Sequence, residues 1–308
     1  MASRETTAKV AVVQAAPVIM EQEATIAKAR SLTLQASEQG ARIVVFPEAF
    51  VPGYPRGLTF GTVIGSRSDD GRRDFERYAR NAVAVPSKAS TALAQIAKDT
   101  GVYLVMGVAE SDSEHCPSSL YCTTLYYGPD GSLLGKHRKL KPTGAERLVW
   151  AEGDGSTLTA VDTAYGVLGG LICWENYMPL ARMAMYEQRV GIYVAPTADA
   201  RETWQATIRH IALEGRCYVL SANQYVTKCM YPTDLLCYAE LRGQPDVMSR
   251  GGSAVVDPLG NYVAGPVYDR ECIIMEQLDL GRITQSRYDF DAVGHYSRPD
   301  VFSFRVKR

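Results

Sequence analysis

The sequence lacks three features that would assign it to large classes of protein. No apolar run approaches the roughly 20 residues of a membrane-spanning helix, and the start, Met1-Ala2-Ser3-Arg4-Glu5-Thr6-Thr7, has no apolar signal-peptide core. Charge of one sign is not in excess either, because 33 Lys and Arg face 34 Asp and Glu, which disfavours nucleic acid and anionic membranes as partners. We therefore expect a cytoplasmic protein.

The cysteines are not arranged for a disulfide framework or a zinc site. Seven cysteines is an odd number, and no two have the Cys-x-x-Cys spacing, so a disulfide-stabilised fold is not expected without a secretory signal. A zinc site built from Cys229, Cys237 and a distant histidine has the wrong spacing for a zinc knuckle. We expect no metal site.

Strand and helix patterns alternate from the N-terminus onward. Lys9 to Val13 is a β-branched run typical of a buried strand, Glu21 to Ala36 has helical periodicity, and Arg42 to Phe46 is a second strand. This alternation predicts a layered α/β fold. Because 46% of the residues are hydrophobic and no linker or repeat divides the chain, we predict one domain over residues 1–308.

The same patterns predict the other elements. Helices are predicted at 72–80, 87–100, 177–189, 202–216 and 279–288, strands at 102–108, 158–161, 167–172, 191–195 and 217–222, and hairpins at 121–134 and 252–264. Periodicity is lost from Thr227 to Arg250, which we interpret as a long surface insertion that acts as a lid or a subunit contact.

One stretch joins a strand end to a nucleophile. The apolar run Val167 to Ile172 ends at Cys173, polar residues follow, and helical spacing continues from Tyr177 to Arg189. This pattern predicts a strand, a sharp turn and a helix, with the thiol at the turn, as in the nucleophile elbow of serine hydrolases. A helix N-terminus would favour the thiolate. The alternative is a buried cysteine that only packs.

Two other segments place charged side chains where a thiol nucleophile needs help. Glu48 follows the second predicted strand, and burial would raise its pKa enough for proton transfer. Lys139 lies in the basic run Gly135 to Pro142 and can stabilise charge on the reacting atom. The competing interpretations are a solvated edge strand for the basic run and a Cys173–His137 dyad.

Four segments, taken together and in order, resemble the nitrilase branch of the carbon–nitrogen hydrolase superfamily. They are Phe46-Pro47-Glu48-Ala49-Phe50, Gly135-Lys136-His137-Arg138-Lys139-Leu140, Pro142-Thr143 with Glu146-Arg147, and Cys173-Trp174-Glu175-Asn176. The similarity covers nearly the whole chain. The fourth segment favours nitrilases proper. The amidase and carbamoylase branches usually have an aspartate two residues after the cysteine, where this sequence has Glu175.

The resemblance implies a four-layer αββα sandwich and hydrolysis of an organic nitrile to the acid and ammonia through covalent intermediates. It carries over Glu48 as general base, Lys139 as charge stabiliser and proton donor, and Cys173 as nucleophile. Glu146 matches a second glutamate that holds the lysine and assists proton transfer, and its alternative is an ion pair with Arg147 or with another surface charge. No metal or organic cofactor is implied. An amidase or carbamoylase with the same residues, or an inactive binding protein, remains a competing function.

Three residues are candidates for substrate binding: Tyr54, Trp174 and Thr197. The strand before Thr197 should lie beside the elbow strand, and this small side chain would leave room for an arylacetonitrile or another mid-sized nitrile. The alternative is that Thr197 caps the following helix. The resemblance also implies a homo-oligomer built from dimers, extending to a spiral filament, with 177–189 and 227–250 as candidate contact segments.

Overall fold

The computed structural model describes residues 5–307, so the first four residues of the polar N-terminal stretch lie outside it. Within 5–307 there are six α-helices: α1 (Gln22–Glu38), α2 (Asp69–Arg80), α3 (Lys88–Thr100), α4 (Pro179–Glu187), α5 (Glu202–Gly215) and α6 (Gly281–Arg287). The strands are β1 (Thr7–Gln14), β2 (Ile43–Val45), β3 (Thr62–Val63), β4 (Ser66–Arg67), β5 (Val83–Ala84), β6 (Tyr103–Ser111), β7 (Leu120–Tyr127), β8 (Leu133–Arg138), β9 (Ala160–Thr163), β10 (Gly166–Gly170), β11 (Ile192–Val194), β12 (Tyr218–Ser221), β13 (Tyr225–Thr227), β14 (Val247–Val256), β15 (Tyr262–Tyr268) and β16 (Cys272–Asp279).

The strands form two large sheets and one small hairpin. The first sheet has the order β16-β1-β2-β6-β7-β8, with β5 beside β6, and the second has the order β13-β14-β12-β11-β10-β9, with β15 beside β14. The three strands β1, β2 and β6 are parallel, as are β10, β11 and β12. Parallel strands bring their carboxyl ends to one edge of a sheet, where sites form.

Three apolar clusters define four layers. Between the sheets, Val12 and Val45 from the first sheet share a buried cluster with Leu168, Val194 and Leu220 from the second. The outer face of the first sheet packs on α1 and α3, and the outer face of the second packs on α4 and α5. This confirms the αββα sandwich, which arises because each sheet buries both of its faces.

Most predicted elements are present, with two differences near the site. The segment 227–250, predicted to be a surface insertion, is partly buried. Tyr231, Leu235 and Leu241 lie in a buried cluster that also contains Leu58 and Tyr78, so the prediction is wrong for the side of the segment that faces this cluster. The helix predicted from residue 177 begins at Pro179 and follows a 3₁₀ helix over 173–177. Across 5–307, no helix is long and apolar enough to cross a membrane, and no group of three or more His, Cys, Asp or Glu side chains could hold a metal ion.

Candidate active site

Cys173 lies in a strained turn just after β10. Its φ of 50° is in the left-handed region, which costs a non-glycine residue about 1–2 kcal/mol. The backbone N–H of Cys173 donates to the carbonyl of Pro196 at 2.8 Å. A Cβ at Gly170 would lie 1.9 Å from the carbonyl oxygen of Val194, so only glycine allows β10 and β11 to approach so closely here. The predicted elbow is therefore present.

Two side chains that follow Cys173 in the sequence hold the elbow. Oε2 of Glu175 accepts from the backbone N–H of Ile172 at 2.8 Å, and Oε1 accepts from Leu140 at 2.6 Å. The amide of Asn176 donates to the carbonyls of Leu171 and Cys173, both at 2.9 Å. These bonds fix the turn on both sides of the thiol.

His137 helps to hold the elbow through Glu175 and does not form a dyad with Cys173. Its Nε2 lies 2.9 Å from Oε2 of Glu175, and its Nδ1 lies 2.9 Å from the carbonyl of Thr157. Burial acts to lower the pKa of His137, but the Glu175 carboxylate outweighs it and raises the pKa. Because both ring nitrogens are occupied, the Cys173–His137 alternative is wrong.

Glu48 is presented by a tight turn at the end of β2. The next residue, Ala49, has a φ of 45°, and a Cβ at Gly107 would lie 2.0 Å from the carbonyl oxygen of Pro47. Glycine on β6 therefore lets this turn pass close to the strand. Gln224 donates to the carbonyl of Glu48 at 2.9 Å, which joins the turn to the second sheet.

Lys139 lies between two carboxylates. Its Nζ is 2.6 Å from Oε1 of Glu48 and 2.7 Å from Oε2 of Glu146, and the lysine side chain is fully buried. Arg147 donates to the carbonyl of Gly144, so the surface ion pair considered for Glu146 is wrong. The charges of these three residues form one cluster.

The basic run is an edge strand, as one interpretation held, but its charges are not simply solvated. Lys136 and Arg138 bind the buried carboxylate of Glu110 at 2.5 and 2.8 Å. Lys139, just beyond β8, turns into the protein instead. Successive side chains of a strand point to opposite faces, so the run contributes both a surface network and a buried cation.

Burial decides the direction of the pKa shift at Cys173 and Glu48, and neighbouring charges decide it at Lys139. Burial raises the pKa of Cys173 to about 12, and the charge of Glu48 adds to this. Burial also raises the pKa of Glu48, although Lys139 opposes it. Burial acts to lower the pKa of Lys139, yet the surrounding acidic groups keep it well above its usual value. The expected helix N-terminus does not lower the pKa of the thiol overall: Cys173 begins only the short 3₁₀ helix over 173–177, α4 begins at Pro179, and burial outweighs any such effect.

A cavity of about 300 Å³ opens onto the cysteine. Tyr54 and Trp174, two of the three residues predicted to bind substrate, line it, and so does Glu146. The remaining lining residues are Arg56, Thr143, Cys173 and 198–201. Thr197 is buried, with its hydroxyl 3.1 Å from the sulfur of Cys173, while its neighbour Ala198 forms the wall. The capping alternative is wrong, because Arg201 occupies the N-cap position of α5.

Two contacts at the site were missed from sequence. The thiol of Cys122 donates to Oε1 of Glu48 at 3.5 Å, and the hydroxyl of Tyr54 donates to Oε1 of Glu146 at 2.7 Å. Cys122 lies next to Lys139 because the pairing of β7 with β8 ends at Thr123 and Arg138, and the backbone N–H of Lys139 donates to the carbonyl of Cys122 at 2.8 Å, a register that the predicted hairpin did not specify. No local pattern joins Tyr54 to a glutamate 92 residues away.

Nearly the whole chain is similar to known carbon–nitrogen hydrolases. Residues 9–288 match the family described as carbon–nitrogen hydrolase. An aliphatic nitrilase of Sinorhizobium fredii (strain HH103) is 53% identical over 97% of this chain and 95% of its own length. A bifunctional nitrilase/nitrile hydratase of Lupinus angustifolius is 50% identical over 98% and 86%.

A solved structure, the Nit3 protein of Saccharomyces cerevisiae from branch 10 of the nitrilase superfamily, has the same fold. It superposes with a TM-score of 0.74 at 23% identity and covers 97% of this chain and 99% of that one. At this identity the similarity concerns the fold alone.

Proposed function

Because the chain belongs to the carbon–nitrogen hydrolase family, in its nitrilase branch, we propose that it converts an organic nitrile and two waters to a carboxylic acid and ammonia, with Cys173 as nucleophile. One observation carries the proposal: Cys173 and Glu146 line the same cavity, and Glu146 shares the buried ammonium of Lys139 with Glu48. A nucleophile, a fixed positive charge and proton-accepting carboxylates are what attack on a nitrile requires.

The first step is deprotonation of the thiol. With its pKa raised to about 12 by burial and by the charge of Glu48, Cys173 holds its proton at neutral pH, so a base must take it during attack. Oε2 of Glu48 is buried and has no hydrogen-bond partner among residues 5–307. We assign Glu48 as that base.

Attack forms a carbon–sulfur bond and places negative charge on the nitrile nitrogen. The high pKa of Lys139 keeps it an ammonium, and we assign it to stabilise this nitrogen and pass on the proton that Glu48 received. The backbone N–H of Cys173 is bound to Pro196, so the backbone N–H of Trp174 is the candidate second donor. The product is a thioimidate.

Two waters complete the reaction. The first, activated by Glu48, adds to the thioimidate and gives a tetrahedral carbon that bears oxygen, nitrogen and sulfur. Loss of ammonia leaves a thioester, and the second water releases the acid and restores the thiol of Cys173. If sulfur leaves the tetrahedral carbon first, the product is the amide, so we also propose a minor amide product.

The size of the cavity supports a mid-sized substrate. Its volume of about 300 Å³ is at the lower end of small-molecule sites, and the rings of Tyr54 and Trp174 offer apolar walls. We propose an arylacetonitrile or a nitrile of similar size. Comparing kcat/KM for arylacetonitriles, aromatic nitriles, short aliphatic nitriles and cyanoalanine tests this, and a clear preference for the smallest aliphatic nitriles would contradict it.

The test of the reaction compares ammonia release from a nitrile and from its matching amide. Cys173→Ala should reduce turnover by several orders of magnitude, because the nucleophile is lost, and Lys139→Ala and Glu48→Gln should also be severe. The matched control is Cys229→Ala, which removes an exposed thiol and should leave the rate unchanged. Substantial turnover by folded Cys173→Ala would overturn the proposed nucleophile, and faster hydrolysis of the amide would favour an amidase.

A further inference from the structure

The loop Pro196 to Asp199 lies against the thiol side of the elbow, and one side chain of it reaches the sulfur. Oγ1 of Thr197 is 3.1 Å from Sγ of Cys173, and both residues are buried. We propose that Thr197 is a further catalytic residue, whose hydroxyl donates a hydrogen bond to the sulfur and stabilises the thiolate during attack. This inference rests on the proposed role of Cys173 as nucleophile and deepens it.

The hydrogen-bond pattern sets the direction of this bond. The backbone N–H of Asp199 donates to Oγ1 of Thr197 at 2.9 Å, so the oxygen already acts as an acceptor. Among residues 5–307 the hydroxyl proton has no acceptor other than the sulfur of Cys173. A hydroxyl has one proton to donate, and here that proton is directed at the nucleophile.

The loop holds the hydroxyl in place from both sides. The carbonyl of Pro196 accepts from the backbone N–H of Cys173 at 2.8 Å, and Oδ2 of Asp199 accepts from the indole N–H of Trp174 at 2.9 Å. The loop is thus bonded to Cys173 by the residue before Thr197 and to Trp174 by the second residue after it. Because the donor and the sulfur are fixed relative to each other, no reorganisation is needed when charge develops.

The site needs a donor of this kind. Burial and the negative charge of Glu48 raise the pKa of Cys173, and the groups that oppose this are Lys139, the hydroxyl of Thr197 and the backbone N–H of Ala198. Lys139 also serves two carboxylates. Thr197 therefore supplies a neutral donor that no carboxylate at the site shares.

The test measures the alkylation of Cys173 by iodoacetamide against pH, with peptide mapping by mass spectrometry. Thr197→Val removes the hydroxyl at constant shape and should raise the pKa of the thiol by about one unit. Since a more basic thiolate is also more nucleophilic, the rate at a fixed pH below that pKa should fall only about threefold. Thr197→Ser keeps the hydroxyl and should restore the parent rate. The exposed Cys116 in the same sample is the internal reference.

Nitrile turnover gives a second readout. Because Thr197 does not line the cavity, Thr197→Val should lower kcat and leave KM unchanged, and Thr197→Ser should recover kcat. If Thr197→Val does not fold, as judged by near-UV circular dichroism, Thr197→Ala removes the same hydroxyl and replaces it in the test.

The outcomes separate this inference from the proposed function. Alkylation of Cys173 that is unchanged or faster in Thr197→Val would overturn the inference, since the sulfur would then be the donor or the contact would be without effect. If the alkylation rates follow the prediction but the parent protein hydrolyses no nitrile, the proposed function fails and the assignment of Thr197 as a donor to the sulfur stands.

Discussion

At the scale of single residues, the site is governed by one ammonium shared between two acids. Lys139 is within 2.7 Å of both Glu48 and Glu146, so the fully ionised cluster carries one excess negative charge in a buried place. Removing ions from water is costly unless charges are paired. The pKa of Glu48 is therefore raised. Burial is the largest cause, the charge of Glu146 adds to it, and the charge of Lys139 opposes both.

The pH dependence of catalysis should reflect this raised pKa. If Glu48 is the base, as proposed, it becomes protonated as the pH falls through its pKa, so kcat/KM should fall on an acid limb whose midpoint lies above the usual 4.5. Glu146→Gln removes a charge that raises this pKa, so its residual activity should show the limb at lower pH. A parent midpoint at or below 4.5, with the fold intact by circular dichroism, would contradict the prediction.

At the scale of elements, the pair His137–Glu175 joins the end of β8 in the first sheet to the elbow after β10 in the second. Nε2 and Oε2 are 2.9 Å apart, and both side chains are fully buried. Glu175 also accepts from the backbone of Leu140 and Ile172. The turn that carries Cys173 is thus held by a contact between the two sheets, and the same contact binds the backbone of Leu140, next to Lys139.

His137→Gln should destabilise the protein by about 3–5 kcal/mol, the usual cost of breaking a buried ion pair. The pKa of His137 is raised above 6.5, so its contribution is present below that pH and is lost as pH rises through the raised value. The pKa of Glu175 is lowered below 4.5, so its contribution is lost only as pH falls through the lowered value. The stability difference should therefore be larger between pH 4.5 and 6.5 than in alkaline solution.

Denaturant unfolding of the parent and of His137→Gln measures this difference when it is carried out both between pH 4.5 and 6.5 and in alkaline solution. His210→Gln is the matched control, because His210 is exposed and its loss should change stability by less than about 0.5 kcal/mol. A pH-independent difference for His137→Gln would mean that the pair contributes through packing and not through charge.

At the scale of the whole molecule, the outer layer formed by α4 and α5 exposes apolar side chains. Leu180 is 70% exposed, and Tyr177, Met178 and Leu213 are also exposed. Arg182 on α4 binds Glu214 on α5 at 2.6 Å, so the two helices present one rigid face. Apolar patches of this kind mark interaction surfaces. We propose a two-fold dimer through this face, with a second contact for open spiral growth.

Leu180→Glu should weaken the dimer, because two copies of the new charge would meet across a two-fold axis. Sedimentation velocity at assay concentration should show a smaller species than the parent. Leu34→Glu, on the exposed side of α1 in the opposite outer layer, is the control and should leave the assembly unchanged. A parent protein that sediments only as a monomer would exclude the dimer.

The sequence alone determined the features that depend on neighbours along the chain. The β–α–β alternation, Glu48 at the end of β2, and Cys173 at the turn after β10 are all encoded by periodicity and turn chemistry within a few residues. Lys139 was singled out from its place in the basic run Gly135 to Pro142, and its expected role came from the family resemblance. Such signals are local because backbone conformation is limited by local sterics.

Only the tertiary structure decided which distant groups meet. β16 was not predicted as a strand, yet it pairs with β1 over its whole length, with Cys272 opposite Gln14. The hydroxyl of Thr197 against the sulfur of Cys173, and Cys122 beside Glu48, likewise depend on how loops from different strands converge. Sheet register and the stacking of two sheets set these contacts, and they are fixed by packing of the whole core, so no local pattern records them.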